Sequence, residues 1–334
     1  MSFPRSDLGA AGRSVAFLSI HPRAFELRRK DGGMTTNTLG LRRSLLAVPG
    51  NETDLISMAT DSDADEIILD LEDSIGPNNK IDARSNLAES VIANDWHGKT
   101  ISYRINDVRS PWWYDDIIEI IEEVGEQIDS LIIPKVEDAS DLHTVNNLLG
   151  PVLENAGIDP ESIRITAQIE TAAGMNNASD IAHSCTGLDA MIFGPGDYVA
   201  SIGASGLSKE SQREYPDHYW HYPLSKLSLA ASSADLRVID GPYADVDDVQ
   251  GFRRSCEQSR KLGYDGKIVV HPGQVDIANT VYSPSKEEAE AAMRIVKKYD
   301  NSDGSAPKID GRVIDRESYE SAKKIAEQAK RIDY

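Results

Sequence analysis

Short apolar runs rich in β-branched residues alternate with longer amphipathic segments along this chain from residue 43 onward. The short runs predict buried strands and the longer segments predict helices, a pattern typical of repeated strand–helix units around a parallel sheet. Eight strands are predicted, at residues 43–48, 66–71, 100–105, 130–134, 163–169, 190–193, 237–239 and 267–270. Helices are predicted between them at residues 82–93, 112–124, 139–149, 219–232 and 246–262.

The number of strands decides between two parallel-sheet folds. An open doubly wound sheet also uses strand–helix units, but no Gly-x-Gly-x-x-Gly segment follows the first predicted strand. Eight units instead favour a closed (β/α)₈ TIM barrel, which we assign to residues 41–283. Helices predicted at 285–299 and 317–332 make residues 284–334 a C-terminal helical extension or lid.

The first part of the chain differs in composition from the rest. Residues 1–33 contain six Lys or Arg and three Asp or Glu, whereas the whole chain has 35 basic and 55 acidic residues. We therefore interpret residues 1–40 as a dispensable leader outside the fold. It is either a mis-assigned start or a disordered arm, and a basic targeting peptide is the weaker alternative.

Composition also excludes several classes of function. The net charge of −20 repels phosphate backbones, so we expect no nucleic-acid partner. No stretch approaches the roughly 20 apolar residues that span a bilayer, so we expect no membrane partner. Two cysteines without metal-site spacing favour a reducing cytoplasm. The acidity fits either an ordinary solvated surface or a halophilic protein, and we favour the second.

Polar residues follow most of the predicted strands. In a TIM barrel the carboxyl ends of the strands meet at one mouth, where active sites lie. The polar residues at these positions are Asp70, Glu72, Asp73, Arg104, Asn106, Lys135, Gln168, Glu170, Asp197, Asp240 and His271. Each could be a cap or a salt-bridge partner, but so many charges on one rim favour a metal ion or an anionic substrate that organises them.

Glu170 and Asp197 are the candidate metal ligands. They end adjacent strands and offer only oxygen donors, which suits Mg²⁺ rather than Zn²⁺. A 2-oxo or 2-hydroxy acid would fill coordination positions that they leave open. Arg104 can hold a carboxylate or a developing alkoxide beside the metal. Lys135 either does the same or pairs with an acid of the rim, and we favour pairing.

Two glycines of the sixth strand end are also candidates. Gly194 and Gly196 are expected to let the backbone approach the site closely, although a plain turn would explain them too. Nucleophilic catalysis is poorly supported, because the sequence has no Gly-x-Ser-x-Gly elbow.

The motifs at these positions resemble those of the HpcH/HpaI aldolase/citrate lyase family, and within it those of malyl-CoA and β-methylmalyl-CoA lyases. The resemblance extends over nearly the whole chain after residue 42. It rests on RSLLAVPG at 43–50, LDLEDS at 69–74, RIN at 104–106, IPKV at 133–136, IETAAG at 169–174, GDY at 196–198, DGPY at 240–243, GKIVVHP at 266–272 and GRVID at 311–315. The segment PWWY at 111–114 is similar to the malyl-CoA lyase branch rather than to citrate lyase subunits.

The resemblance implies an activity and a set of roles. The reaction would be a reversible Claisen-type cleavage, dependent on Mg²⁺ or Mn²⁺, of β-methylmalyl-CoA or malyl-CoA to glyoxylate and propionyl-CoA or acetyl-CoA. Glu170 and Asp197 would bind the metal, and Arg104 would contact the oxo-acid or thioester oxygen. Asp315 would be the acid/base for the α-carbon proton, supplied to a neighbouring subunit of a homotrimer or hexamer. From the residues alone, Asp315 is predicted to be a helix N-cap.

The acyl-CoA site is less completely implied. The family's strip for coenzyme A corresponds to Ala47, Val48, Val270 and His271. Together with residues of the mouth, the predicted binding residues are Ala47, Val48, Glu72, Asp73, Arg104, Gly196, Asp197, Val270 and His271. Related lyases often have an aromatic residue at the position of Ala47 and a basic one at that of Glu52, so the contacts to the CoA phosphates are not transferred.

Three alternative functions stay open. One is a thioester-hydrolysing relative, such as a malyl-CoA thioesterase or a malate synthase-like enzyme. Another is a citramalyl-CoA lyase. A non-catalytic subunit of a larger complex would share the fold, but the presence of Glu170, Asp197 and Asp315 disfavours it.

Overall fold

Eight parallel strands close into a barrel in the computed structural model, which describes residues 39–204, 220–302, 306–309 and 311–332. The strands are β1 Ser44–Pro49, β2 Glu66–Asp70, β3 Thr100–Arg104, β4 Ser130–Ile133, β5 Arg164–Ile169, β6 Leu188–Phe193, β7 Arg237–Asp240 and β8 Gly266–Val269. Each pairs with the next along the chain, and β1 closes the barrel on β8, where Leu45 lies opposite Ile268. The predicted (β/α)₈ fold is confirmed.

Helices connect the strands. They are α1 Thr53–Thr60, α2 Lys80–Ala93, α3 Trp113–Val124, α4 Ala139–Ala156, α5 Ala172–Asn176, α6 Ala178–Ala182, α7 Pro195–Ser201, α8 His221–Ser233, α9 Val249–Lys261 and α10 Val275–Tyr282. The five predicted barrel helices are all present. The sequence did not reveal α1, α5, α6, α7 and α10, which have only five to eight residues and show too few turns for a clear period.

Helix α4 is longer than predicted. The pair Gly150-Pro151 predicts an end at residue 149, but the helix continues to Ala156 and ends at Gly157, whose φ is 75°. Leu149 and Leu153 lie on either side of the proline and are both buried against the core. The burial of this apolar face offsets the hydrogen bond that the proline removes.

The barrel interior is layered. Its middle layer is apolar and consists of Leu45, Ile68, Ile132, Ile192, Ile239 and Ile268. Because side chains alternate along each strand, the inward residues two positions later form the mouth and those two positions earlier form the opposite end. The apolar layer therefore separates the mouth from a second polar layer, which contains Glu66 and Thr166, both fully buried.

Two helices follow the barrel, as predicted for the C-terminal extension. They are α11 Lys286–Asp300 and α12 Arg316–Arg331, with a short hairpin of β9 Lys308–Ile309 and β10 Arg312–Val313 between them. Ala292 of α11 packs with Ala322 and Ala326 of α12 in a small apolar cluster. Tyr299 and Tyr319 stack at the other end, with ring centroids 4.2 Å apart.

The last turns of α12 are anchored at the barrel end opposite the mouth. Gln328 Nε2 donates to the carbonyl of Tyr282 at 2.9 Å, and Arg331 Nη1 donates to the carbonyl of Leu39 at 3.3 Å. Leu39 precedes β1, and Tyr282 ends α10, which runs back along the barrel after β8. In the described ranges no helix is both long and apolar enough to span a membrane. Of the predicted leader 1–40, residues 1–38 lie outside the described residues.

Candidate active site

A cavity of about 260 Å³ opens at the carboxyl ends of the strands. Its floor includes Ile68, Ile132 and Ile268 of the middle layer. The predicted site residues that line it are Ala47, Asp73, Arg104, Glu170, Gly196, Asp197 and Val270. The barrel thus brings together residues from six strand ends that are far apart in the sequence.

Arg104 is held in one orientation at the edge of the cavity. Its Nε donates to Asp70 Oδ1 at 2.7 Å and its Nη2 donates to Asp70 Oδ2 at 2.8 Å. Its Nη1 lies 3.5 Å from Glu72 Oε2. Burial alone would raise the pKa of Asp70, but the ion pair with Arg104 outweighs it and lowers that pKa to about 2. Two of the guanidinium nitrogens are therefore committed to the protein.

Lys135 pairs with acids of the rim. Its Nζ donates to Glu72 Oε1, lies 3.2 Å from Asp73 Oδ1 and lies 3.3 Å from Asp197 Oδ2. The favoured interpretation of Lys135 is confirmed. Burial raises the pKa of Glu72, and its Oε2 is buried without a hydrogen-bond partner among the described residues.

Glu170 is buried at the end of β5, with 3% of its surface exposed. Its Oε1 accepts from the backbone N–H of Lys135 at 2.9 Å, and its Oε2 accepts from Gln168 Nε2 at 2.5 Å. Burial, followed by the nearby charge of Glu72, raises the pKa of Glu170 to about 8. A cation beside this carboxyl group would restore its charged form.

The two glycines of the β6 end differ. A Cβ atom on Gly194 would lie 2.2 Å from Glu170 Oε2, so the close backbone approach expected there is confirmed. A Cβ atom on Gly196 would meet nothing within 4 Å, so the same expectation for Gly196 stays a prediction. Gly196 lines the cavity without being required there by the packing of the protein.

The donor set at the mouth fits a hard divalent ion. In the part of the chain that the structure describes, no group of three or more His, Cys, Asp or Glu side chains is arranged to hold a metal. Glu170 and Asp197 both face the cavity with carboxylate oxygens. Mg²⁺ is commonly bound by one or two carboxylates and completes its coordination with water and substrate, so a pair of acids is sufficient.

Three predicted residues of the binding site lie outside this cavity lining. Val48 is buried within β1, and Glu72 lies behind Lys135 and Arg104. His271 is exposed after β8, where its Nδ1 accepts from the backbone N–H of Gly273 at 3.0 Å.

Asp315 does not line this cavity. It is the N-cap of α12, and its Oδ1 accepts from the backbone N–H of Ser318 at 2.8 Å. Arg331, at the other end of α12, lies on the barrel end opposite the mouth, about 24 Å away along the helix axis at 1.5 Å per residue. The N-cap predicted from the residues is confirmed.

Two further polar residues of the predicted rim point into the helical layer. Asn106 Nδ2 donates to Asp116 Oδ2 at 2.7 Å, and Asp240 pairs with Lys267 Nζ at 2.5 Å. All four side chains are buried. Asn106 and Asp240 therefore hold the strand ends in place and do not face the cavity.

Two residues that shape the site, Gln168 and Lys80, have contacts that the sequence pattern did not indicate. Gln168, two positions before Glu170 on the same face of β5, was recognisable from the strand period. Lys80 of α2 is buried and donates to the carbonyls of Leu71 and Glu72 at 2.8 and 2.6 Å, which fixes the end of β2. The role of Lys80 could not be predicted from the sequence, because both of its partners are backbone carbonyls and no particular residue type marks them.

Residues 43–272 match the model of the HpcH/HpaI aldolase/citrate lyase family. The chain belongs to this family. The family resemblance seen in the sequence is confirmed, and the chain is an enzyme of a family of carbon–carbon lyases.

Curated relatives of this HpcH/HpaI member include two kinds of enzyme. An L-malyl-CoA/β-methylmalyl-CoA lyase of Cereibacter sphaeroides is 34% identical over 303 residues, which cover 87% of this chain and 95% of the relative. A (3S)-malyl-CoA thioesterase of Cereibacter sphaeroides is 31% identical over 295 residues, with coverages of 87% and 95%.

Solved structures of similar proteins share this fold. CitE of Mycobacterium tuberculosis, in complex with magnesium and acetoacetate, is 25% identical with a TM-score of 0.60. The match covers 75% of this chain and 94% of that protein.

Proposed function

We propose that this chain is a Mg²⁺-dependent lyase that reversibly cleaves β-methylmalyl-CoA and malyl-CoA to glyoxylate and propionyl-CoA or acetyl-CoA. The observation that carries this proposal is the cavity at the barrel mouth, where Glu170, Asp197 and Arg104 face one apolar floor. The relative of 34% identity that cleaves malyl-CoA and β-methylmalyl-CoA supports the substrate class. The magnesium in the CitE structure supports the choice of ion.

Glu170 and Asp197 would hold the metal. When bound, the ion would polarise the oxygen of the oxo acid whose charge changes as the carbon–carbon bond forms or breaks. Glu170 is prepared for this role, because a hydrogen bond to each of its oxygens fixes the carboxyl group before any ligand arrives.

Arg104 would contact the oxo acid or the thioester oxygen. Its Nε and Nη2 are fixed by Asp70, and its Nη1, which lies 3.5 Å from Glu72 Oε2, would use its second N–H for a substrate oxygen. A guanidinium that is already ordered loses little side-chain entropy when the substrate binds. Cation density at this point stabilises the enolate oxygen of the acyl-CoA.

Asp315 would handle the proton. In the direction of condensation it would take the α-carbon proton of the acyl-CoA, the enolate would add to the aldehyde carbon of glyoxylate, and the protonated Asp315 would return its proton, directly or through water, to the resulting alkoxide. Hydrogen bonds from Ser318 lower the pKa of Asp315, which suits a base that starts ionised. Because Asp315 does not line the cavity of its own barrel, it would serve a neighbouring subunit of a homotrimer or hexamer.

The acyl-CoA would enter along the side of the cavity formed by β1 and β8. Ala47 and Val270 line the cavity there, and Val270 is 43% exposed. The neighbouring Val48 and His271 would border the same path. The small side chain of Ala47 leaves room for the apolar part of the cofactor.

Thioester hydrolysis is the second candidate function. It is favoured by the malyl-CoA thioesterase relative, which is 31% identical over 87% of this chain. The two reactions share the substrate class and differ in whether water reaches the thioester.

A condensation assay separates these functions. Full-length protein with Mg²⁺, propionyl-CoA and glyoxylate should form a β-methylmalyl group that stays linked to CoA, which mass spectrometry detects. Release of free thiol in step with product, measured with a thiol reagent, would favour the thioesterase or a malate synthase-like enzyme.

Substitution of a metal ligand provides the control for this assay. Glu170→Gln should remove at least about 99% of the condensation activity, because the ligand charge is lost from a buried position. Glu154→Gln changes an exposed carboxylate of α4 in the same way and should leave the rate within about twofold of wild type. Equal activity of the two variants would contradict the assigned metal site.

A further inference from the structure

Lys135 contacts both carboxylates to which we assign the metal. Its backbone N–H donates to Glu170 Oε1 at 2.9 Å, while its Nζ lies 3.3 Å from Asp197 Oδ2. The same Nζ donates to Glu72 Oε1 and lies 3.2 Å from Asp73 Oδ1. One residue thus links the ends of β2, β5 and β6 across the cavity.

The backbone of Lys135 is unusual for a residue with a side chain. Its φ is 51°, in the left-handed region that favours glycine. It follows β4 and Pro134, and this conformation accompanies the hydrogen bond from its N–H to Glu170. Residues held in this region cluster at functional sites, where the surrounding contacts maintain them.

The charges around the cavity make Lys135 the counter-ion of several acids. Arg104 is committed to Asp70 by two short hydrogen bonds. Its Nη1 also lies 3.5 Å from Glu72 Oε2, whereas the Nζ of Lys135 lies within 3.3 Å of an oxygen of each of Glu72, Asp73 and Asp197. Its side chain is 26% exposed, so the ammonium can shift.

We propose that the Lys135 ammonium is a built-in counter-ion that competes with the metal for Asp197. This proposal rests on the assignment of the metal to Glu170 and Asp197. Without metal, the ammonium neutralises the acids that would otherwise repel one another across the cavity. A divalent ion on Asp197 repels the ammonium, which stays with Glu72 and Asp73 while its backbone N–H continues to hold Glu170.

This competition predicts the direction in which the affinity for the metal changes when the charge of Lys135 is removed. Removing the positive charge makes the site more negative and frees Asp197, so the metal should bind more tightly. Loss of a purely structural contact would act in the opposite direction, because disordered ligands bind a metal more weakly. The sign of the change in affinity therefore separates an electrostatic role from a structural one.

The test is a calorimetric titration of metal-free, full-length protein with Mg²⁺. Lys135→Met removes the charge and keeps the length of the side chain, and it should lower the dissociation constant about tenfold at low salt. The gain should shrink in concentrated salt, which screens the interaction. Lys135→Arg keeps the charge and should bind Mg²⁺ within about threefold of wild type.

A second variant guards against misfolding. Lys135→Gln is neutral but keeps N–H donors for Glu72 and Asp73, so it should fold if the methionine variant does not, and it should also bind Mg²⁺ more tightly. Unchanged or weaker Mg²⁺ binding by a folded neutral variant would overturn the proposal. Failure of wild type to bind Mg²⁺, or unchanged binding by Glu170→Gln, would instead overturn the metal assignment on which it rests.

Discussion

At the scale of single residues, Gln168 is the least expected member of the site. It is buried and lines the cavity, and its Nε2 donates to Glu170 Oε2 at 2.5 Å. Its Oε1 is buried and has no hydrogen-bond partner among the described residues. A buried acceptor of this kind is costly unless a ligand or water supplies a donor. Gln168 is thus suited to orient Glu170 and to accept a hydrogen bond from what binds beside it.

We expect Gln168→Met to weaken Mg²⁺ binding about ten- to hundredfold, as is usual when the partner of a metal ligand is removed. Methionine keeps the length of the side chain but neither donates to Glu170 nor accepts. The calorimetric titration used for Lys135 measures the change, and the two methionine variants should shift the affinity in opposite directions.

Gln127→Met is the matched control for this prediction. Gln127 also has a buried side-chain oxygen without a partner in the described chain, but it lies before β4 and away from the cavity lining. It should bind Mg²⁺ like wild type. Equal affinities of all three proteins would refute the role of Gln168.

At the scale of elements, the barrel depends on a buried ion pair at the end opposite the mouth. Arg42 donates from Nε and Nη2 to the two oxygens of Glu66, at 2.6 and 3.0 Å. Ser102 Oγ donates to Glu66 Oε1 at 2.6 Å, and Thr166 accepts from Arg42. Neither charged side chain is exposed. The strands β2, β3 and β5 are therefore joined by one network beneath the apolar layer.

Glu66→Gln should destabilise the protein by roughly 3–5 kcal/mol, because it removes the carboxylate that bonds two nitrogens of the buried Arg42 and leaves only Asp189, 3.3 Å from Nη1, as an ionised partner. Urea unfolding followed by circular dichroism measures the shift. Glu320→Gln removes an exposed partner of Arg316, 3.8 Å away on α12, and should cost less than about 0.5 kcal/mol. Equal shifts for the two variants would show that the buried network does not stabilise the barrel.

At the scale of the whole molecule, the two ends of the C-terminal helix α12 have different surroundings. The last turns of α12 contact the barrel end opposite the mouth, whereas Asp315 stands exposed at the start of the helix. Asp315 does not line the cavity of its own barrel, so the catalytic role proposed for it places it at the mouth of a second copy of the chain. The predictions of a homotrimer or hexamer, of a cytoplasmic location and of a halophilic protein remain predictions.

Mixing two inactive variants tests the shared site. Asp315→Asn should keep its helix, since asparagine also caps, but lose the proton acceptor. Glu170→Gln should lose the metal site. Randomly mixed oligomers should recover about one quarter of wild-type condensation activity, because one in four sites combines an intact barrel with an intact tail. No recovery in oligomers that mass spectrometry shows to be mixed would exclude the shared site.

Much of the fold was readable in the sequence because the runs of β-branched apolar residues that mark the strands are local patterns. The β-branched runs predicted all eight strands, and their order followed from the rule that parallel units add in sequence. The extent of α4 was not readable, since Pro151 indicates a helix end and only packing against the core outweighs it. The short helices could not be predicted for the same reason, because tertiary contacts contribute more to their stability than their own sequences do.

The sequence by itself determined which chemical groups stand at the barrel mouth, because the strand ends fix the positions of Glu170, Asp197 and Arg104. Only the tertiary structure decided their partners: Asp70 for Arg104, the backbone of Lys135 for Glu170, and the Lys135 ammonium for Asp197. These pairs join different strands and depend on the register of the closed barrel. A linear pattern records which residue types are present, but burial and the distances between their charges arise only when the sheet closes.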